Sequence, residues 1–304
     1  MNQSISSNED NATRIHFINR GCLVNYKKAE NIINRFKCII EQVQSYRMRG
    51  MLILGPSGNG KTTLLLFMMK LYGRIQNEET GEFSQLVVYS TAPTGCDQKQ
   101  FLIFLLETLG CPTVYKTRNE MFRQVIQILK HLGVKVLIID EFQQLMEGTP
   151  RQQADILTMI KMISDKASVS IVGAGLEKAK NALLHDEQLF YRLPPIDLPL
   201  WTTKPEGIKE YRGMLKTFDE WLPLRQKSNL GSITMAKKIN EITRGLLGEV
   251  AALLKASAIY AIETGVECIS ESLIENVLKN DLYTPPPAGL VPTSRKIKKR
   301  LIFA

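Results

Sequence analysis

The sequence predicts an α/β fold: a parallel five-stranded sheet flanked by helices, followed by a small all-helical domain. Three observations predict it. Five short aliphatic runs alternate with helical patterns up to Leu200, a glycine-rich segment joins the first run to a helix, and beyond Leu200 only helical patterns remain. Strands alternating with helices of this length indicate βαβ units and a doubly wound sheet.

The strands are read at residues 51–54, 85–90, 136–139, 168–172 and 196–200. They are aliphatic or β-branched throughout rather than alternating, which suits a sheet covered on both faces. Helical patterns occupy 61–72, directly after the glycine segment, and 97–109, after the second strand. Thr117-Arg-Asn-Glu120 has the form of a capping box, and Phe122, Val125, Ile126 and Leu129 follow it at helical spacing. Thr149 followed by Pro150 marks another helix start. Past Leu200 the helices are read at 205–221, behind Thr203-x-x-Glu206, and at 233–244, 247–264 and 270–280. The expected organisation is a flexible lead (1–13), a core (14–200), a helical domain (201–283), and a Pro-rich linker with a basic tail (284–304).

Composition excludes several classes. No apolar run approaches the ~18 residues of a membrane span, and the polar N-terminus lacks the basic start and apolar stretch of a signal peptide. Cys22, Cys38, Cys96, Cys111 and Cys268 contain no C-x-x-C pair, and His16, His131 and His185 are equally dispersed. A zinc site is therefore not expected; reduced thiols in a cytoplasmic setting are. Net charge is +9, and the last ten residues hold five basic and no acidic side chains, leaving +4 for the remainder. Such an excess favours nucleic acid or an acidic protein face, with a solvated tail as the plainer reading.

The chemistry is concentrated in two segments. Gly55, Pro56, Ser57, Gly58, Asn59, Gly60, Lys61 and Thr62 match G-x-x-x-x-G-K-[ST] completely, with an apolar strand before and a helix behind. The glycines let backbone N–H groups turn inward around phosphate oxygens, and the helix N-terminus adds its positive dipole end. Lys61 is expected to reach the terminal phosphates of ATP, Thr62 to hold Mg²⁺, and Thr63 to complete the nucleotide contact. The second segment is Val136-Leu-Ile-Ile-Asp140-Glu141, four aliphatic residues ending in two acids. Asp140 is expected to bind Mg²⁺ through water, and Glu141 to orient or deprotonate the attacking water. A charged strand end facing solvent is the alternative for that pair.

Residues 12–283 resemble the TniB/TnsC group of AAA+ transposition ATPases, relatives of the more distant MuB and IstB proteins. The resemblance runs through the segments 48–62 and 132–141, then Leu145 and 148–157. It continues in Ile171-Val-Gly-Ala-Gly175, Asp186-Glu-Gln-Leu-Phe-Tyr-Arg192, Leu198-Pro-Leu-Trp201 and Gly245-Leu-Leu-Gly-Glu-Val250. It implies a P-loop ATPase core with a helical lid. It also implies a function: ATP-bound subunits assemble head to tail on duplex target DNA, recruit or activate a DDE transposase, and are reset by hydrolysis. A target-selection factor joins the implied partners, and a membrane does not. Arg192 matches the family's finger position and is implied to enter a neighbouring subunit's site.

In such proteins the DNA-facing loops follow the second strand and precede the third helix, which here implicates Lys99, Lys116, Thr117 and Arg118. Lys and Arg there neutralise phosphates without reading sequence; the competing reading of Thr117 is its role as a helix cap. Three departures from the pattern imply slow or partner-dependent hydrolysis. Gly173-Ala-Gly175 offers no polar sensor side chain, Gly248-Glu249 stands where a lid arginine is common, with Arg244 nearby, and Phe142-Gln143 follows the acidic pair. A helicase loader or replication initiator, and a non-hydrolysing ATP-switch scaffold, are the alternative functions.

Overall fold

In the computed structural model the aliphatic runs align as one all-parallel sheet. Residues 5–21, 26–43, 47–76, 83–95, 97–111, 117–183 and 186–287 are described. In chain order the elements begin with α1 (Asn11–Arg20), α2 (Lys27–Glu41), β1 (Met51–Leu54), α3 (Lys61–Leu71), β2 (Arg74–Gln76), β3 (Phe83–Gln85) and β4 (Val87–Thr91). Then come α4 (Gln98–Thr108), α5 (Arg118–His131), β5 (Val136–Asp140), a 3-10 turn at Phe142–Met146, α6 (Pro150–Ala167) and β6 (Ser170–Gly175). The remainder is α7 (Lys178–Leu183), α8 (Glu187–Arg192), β7 (Pro195–Asp197), α9 (Ile208–Trp221), α10 (Ile233–Thr243), α11 (Leu247–Glu263) and α12 (Glu271–Lys279). The chain divides into two units: Leu23–Pro199, and Met1–Cys22 together with Leu200–Ala304.

In the first unit the strand order is β4-β5-β6-β1-β7, with β2 and β3 forming a separate antiparallel pair. Alternate residues of each central strand feed two cores. Leu52, Leu54, Leu137 and Ile139 pack with Phe101, Leu105, Val125 and Ile160 of α4, α5 and α6. Met51, Ile53, Val136 and Ile138 pack on the other face with Ile32 and Phe36 of α2 and Leu64 and Met68 of α3. Both faces are dry, so no polar residue interrupts these strands. The helix α2 was not expected from the sequence, although Ala29, Ile32, Phe36, Ile39 and Ile40 mark one apolar face.

Several expected boundaries move for local reasons. Ser168 belongs to the C-cap of α6, at φ 56°, rather than to β6, which runs on to Gly175. The helix expected from 205 begins at Ile208, because the Thr202 hydroxyl accepts the Lys204 N–H at 3.2 Å and a turn to Gly207 precedes the helix. The capping box at Thr117 and the helix start at Thr149-Pro150 form as the sequence indicates, and Thr149 completes a capping box with Gln152.

The second unit holds α1 and α9–α12, so residues 14–22 group with the helical unit, not with the core as expected. The helix α1 also begins at Asn11, inside the segment expected to be a flexible lead, with the Asp10 carboxylate accepting the Thr13 N–H at 2.9 Å. An ion pair explains the grouping. Arg14, wholly buried, donates to both carboxylate oxygens of Glu267 at 2.8 Å and to the Pro223 carbonyl at 3.0 Å. Phe17 packs on Trp221 with ring centroids 5.3 Å apart. Near the start of this unit the Trp201 N–H donates to the Gly245 carbonyl at 2.9 Å, and Asn240 donates to the Trp201 carbonyl at 3.0 Å. Two segments of the family pattern thus meet.

The Arg14 hydrogen bonds hold the Glu267 carboxyl below its ordinary value of 4.5, against the opposing effect of burial. A depressed carboxyl pKa contributes stability above the unfolded value and loses it as pH falls through the folded one. Arg14→Ala leaves a buried carboxylate without its main partner and should cost about 3 kcal/mol in denaturant unfolding at neutral pH. The gap between wild type and variant should narrow as pH falls below the 4.5 of an unperturbed glutamate.

Candidate functional site

The glycine segment leaves β1 at its C-terminal end and enters α3 through Gly60, which caps the helix in the left-handed region at φ 80°. Gly58, at φ 71°, makes the other left-handed step, and the two allow the loop to curl with its backbone turned inward. Gly60 provides no side-chain cap, so the first N–H groups of α3 remain suited to an anion. Asn59, 3% exposed, anchors the loop: its amide donates to the Leu198 carbonyl at 2.7 Å and the Pro199 carbonyl at 3.2 Å, just past β7. Gly55 donates its N–H to the Gly175 carbonyl at 3.1 Å, tying the loop's first residue to the end of β6. Ser57 and Gly58 are exposed, whereas Pro56 is half-buried.

Lys61 is 6% exposed and donates to the Gly55 and Pro56 carbonyls at 2.9 and 2.8 Å. Burial lowers its pKa, and the charges of Glu141 and Asp140 oppose that shift. The ammonium therefore sits between the loop and the carboxylate pair. Thr62 and Thr63 are exposed on the first turn of α3.

Asp140 ends β5 at 2% exposure. Its Oδ2 accepts the Thr62 hydroxyl at 2.7 Å and the Tyr89 hydroxyl at 3.0 Å; its Oδ1 accepts the Glu141 N–H at 2.8 Å. Hydroxyl and carboxylate oxygens held together are the hard donors Mg²⁺ takes, with water filling its other positions. No group of three or more His, Cys, Asp or Glu suited to a metal occurs among the described residues. Thr62 and Asp140 could supply two ligands to such an ion, the rest coming from water and phosphate.

Glu141 lies in the left-handed region, φ 52° and ψ 38°, which is uncommon for a residue with a side chain. Burial of Phe142, 0% exposed, holds the turn in place. The Gln143 amide donates to Glu141 Oε2, and its carbonyl oxygen accepts the Leu176 N–H at 3.0 Å. Tyr89 is a site residue that sequence reasoning missed, and Gln143 was named only as a departure after the acidic pair, with no role at the site. A tyrosine inside an otherwise aliphatic strand was the available signal for the first. Nothing in the spacing signalled the second.

The remaining expected residues lie elsewhere. Arg192 donates to Asp165 of α6 at 2.6 and 3.4 Å, and its carbonyl accepts the Gly50 N–H at 2.8 Å. Gly50 precedes β1 whereas the glycine loop follows it, and a strand rises about 3.3 Å per residue. The chain's own Arg192 is thus at the opposite end of β1 from its own loop. Arg118 donates to Gln98 Oε1 at 2.8 Å, bringing the N-terminal turns of α4 and α5 together, and Lys99 is exposed beside Gln98. Thr117 caps α5. Lys116 and the basic tail lie outside the described residues.

A glycine loop between strand and helix, and an acidic pair ending a strand one removed from it in an all-parallel β4-β5-β6-β1-β7 sheet, define the AAA+ class of P-loop ATPase folds. Solved structures agree. Cdc6p of Pyrobaculum aerophilum matches at TM-score 0.61 and 17% identity, over 90% of this chain and 71% of that one. The Aeropyrum pernix ORC1 protein, solved in complex with DNA, matches at 0.59 and 15%, over 84% of this chain and 66% of its own. Drosophila ORC bound to DNA matches at 0.59 and 13%, over 93% and 68%. At such identities the likeness is one of fold, and this chain spans about two thirds of the ORC1 chain. No functionally curated protein matches it. The sequence model described as Bacterial TniB protein matches residues 14–203, and the chain belongs to the TniB family.

Asn59→Ala would leave the Leu198 and Pro199 carbonyls without this donor and release the loop from β7. Loss of a buried hydrogen-bonding partner costs about 1–3 kcal/mol. Denaturant unfolding should show a loss of that size, and hydrogen exchange should rise at the 55–60 segment.

Proposed function

We propose that this chain is an ATP-dependent, DNA-binding regulator of DNA transposition. It assembles head to tail on duplex target DNA, recruits or activates a DDE transposase, and is reset by ATP hydrolysis. Membership of the TniB family supports the transposition role. The observation that carries the ATPase reading is the convergence of Thr62, Asp140 and Glu141 beside the N-terminus of α3. The Aeropyrum pernix ORC2 protein, whose fold is similar, was solved as ADPNP–ADP complexes, which supports the same use of the fold here.

In this reading the backbone N–H groups of residues 55–62 surround the phosphates, and Lys61 exchanges its two carbonyl acceptors for phosphate oxygens. Thr62 and Asp140 would hold Mg²⁺, which would supply charge neutralisation on the phosphates. Glu141 orients the attacking water and accepts its proton. Arg192 leaves Asp165 to act on the neighbouring subunit's nucleotide, so a head-to-tail contact completes the site. A heterologous interface that does not close yields a filament. Lys99 and Arg118 contact DNA phosphates; that proteins sharing the fold were solved bound to DNA supports DNA binding in general.

ATP turnover of the purified protein, with and without duplex DNA, tests this. Lys61→Ala should lose nucleotide affinity and assembly together. Glu141→Gln should keep ATP and remain assembled, and disassembly at the wild-type rate would remove Glu141 as water activator. Affinity for DNA should fall with a log–log salt slope of about −0.9 per neutralised phosphate. Lys99→Ala with Arg118→Ala should make that slope shallower.

A further inference from the structure

Gly173-Ala-Gly175 has no polar side chain to offer at the end of β6, yet a polar group occupies that place. It is the carboxamide of Gln143, 9% exposed, delivered from the turn after β5. The glycines leave room for the carboxamide and for the turn that carries it. A Cβ on Gly175 would lie 2.5 Å from Gln143 Oε1, and one on Gly173 would lie 2.9 Å from the Phe142 ring. The carboxamide uses both ends: its oxygen accepts the Leu176 N–H at 3.0 Å, and its nitrogen donates to Glu141 Oε2. An amide so held cannot flip without losing both bonds, because a donor would face the Leu176 N–H and an acceptor would face the carboxylate.

Gln143 therefore links Glu141 to Leu176, the residue after Gly175, whose carbonyl binds the first residue of the glycine loop at 3.1 Å. Oε2 of Glu141 is engaged, and Oε1 takes no hydrogen bond from the described residues. A left-handed backbone and one fixed oxygen leave the carboxylate a single free face.

We infer that Gln143 is the positioning residue for Glu141: it takes the part of the missing β6 sensor and aims the free carboxylate oxygen at the attacking water. The inference rests on Glu141 being the water activator. The role is orientation, so it appears in turnover and not in nucleotide affinity. Misplacement of a catalytic group by about 1 Å costs on the order of 10²-fold in rate.

The test is a double-mutant cycle in the full chain, reading ATP turnover, ATP affinity and thermal melting separately. Gln143→Glu keeps the acceptor for Leu176 and removes the donor to Glu141. Gln143→Met keeps the length and removes both. Each should lower kcat on the order of 10²-fold with ATP affinity unchanged. In a Glu141→Gln background neither should lower the residual rate further. Wild-type turnover in both variants, beside an inactive Glu141→Gln, would overturn the positioning role and leave the activator role standing. A Gln143 effect that adds in full to that of Glu141→Gln would equally overturn it, as would failure of both variants to fold. Wild-type turnover in Glu141→Gln itself would instead remove the activator reading on which the inference depends.

Discussion

The carboxylate of Asp140 ends a strand in which every residue is buried, and it takes hydrogen bonds from two other elements and from the residue that follows it. A carboxylate at 2% exposure is costly unless its oxygens are satisfied. Here the donors are a hydroxyl from α3, a phenol from β4 and the N–H of the next residue. The first two fix α3 and β4 against β5, and the third holds the turn that leaves the strand. The packing of the sheet and the assembly of the candidate site therefore depend on the same few hydrogen bonds. Tyr89 illustrates the coupling: burial raises its pKa, keeping it a neutral donor to Asp140.

Around that point, small residues and main-chain contacts set the spacing. Gly173 and Gly175 face Leu52 and Leu54 of β1 in register, and their missing side chains admit Phe142 and Gln143. Asn59 clamps the glycine loop to the chain after β7, and Gly55 clamps it to the end of β6. The strained backbone of Glu141 is held by a buried aromatic behind it. A site so braced is held in place by its own hydrogen bonds, which is what electrostatic preorganisation requires.

The helical unit is organised by a different constraint. Arg14 and Glu267 are 253 residues apart and share a buried ion pair, which draws the N-terminal helix into a unit built otherwise from the C-terminal third. Glu267 itself has a left-handed backbone, at φ 60°, and Arg225 lies 3.5 Å from its carboxylate. The pair joins the two ends of the described chain, so truncation at either end would expose a charge.

Residues 51–62 and 136–141 were legible because their information is local: a strand, a glycine turn, a capped helix, and two acids at a strand end. The capping box at Thr117 and the helix start at Thr149-Pro150 were legible for the same reason. The shift of Ser168 into a cap and the delayed start of α9 were not, since the first is a left-handed backbone step whose N–H donates to the Ser164 carbonyl and the second turns on the Thr202 hydroxyl. The amino-acid sequence by itself thus determined the fold class, the glycine loop and the acidic pair, because hydrophobic runs and turn chemistry act over a few residues. Only the tertiary structure decided that Tyr89 holds Asp140, that Gln143 holds Glu141, that Arg192 rests on Asp165, and that α1 joins the helical unit. The Tyr89, Arg192 and α1 pairings cross from one element to another, and the Gln143 pairing, inside one turn, depends on the Leu176 N–H from beyond β6; packing, not sequence spacing, selects them.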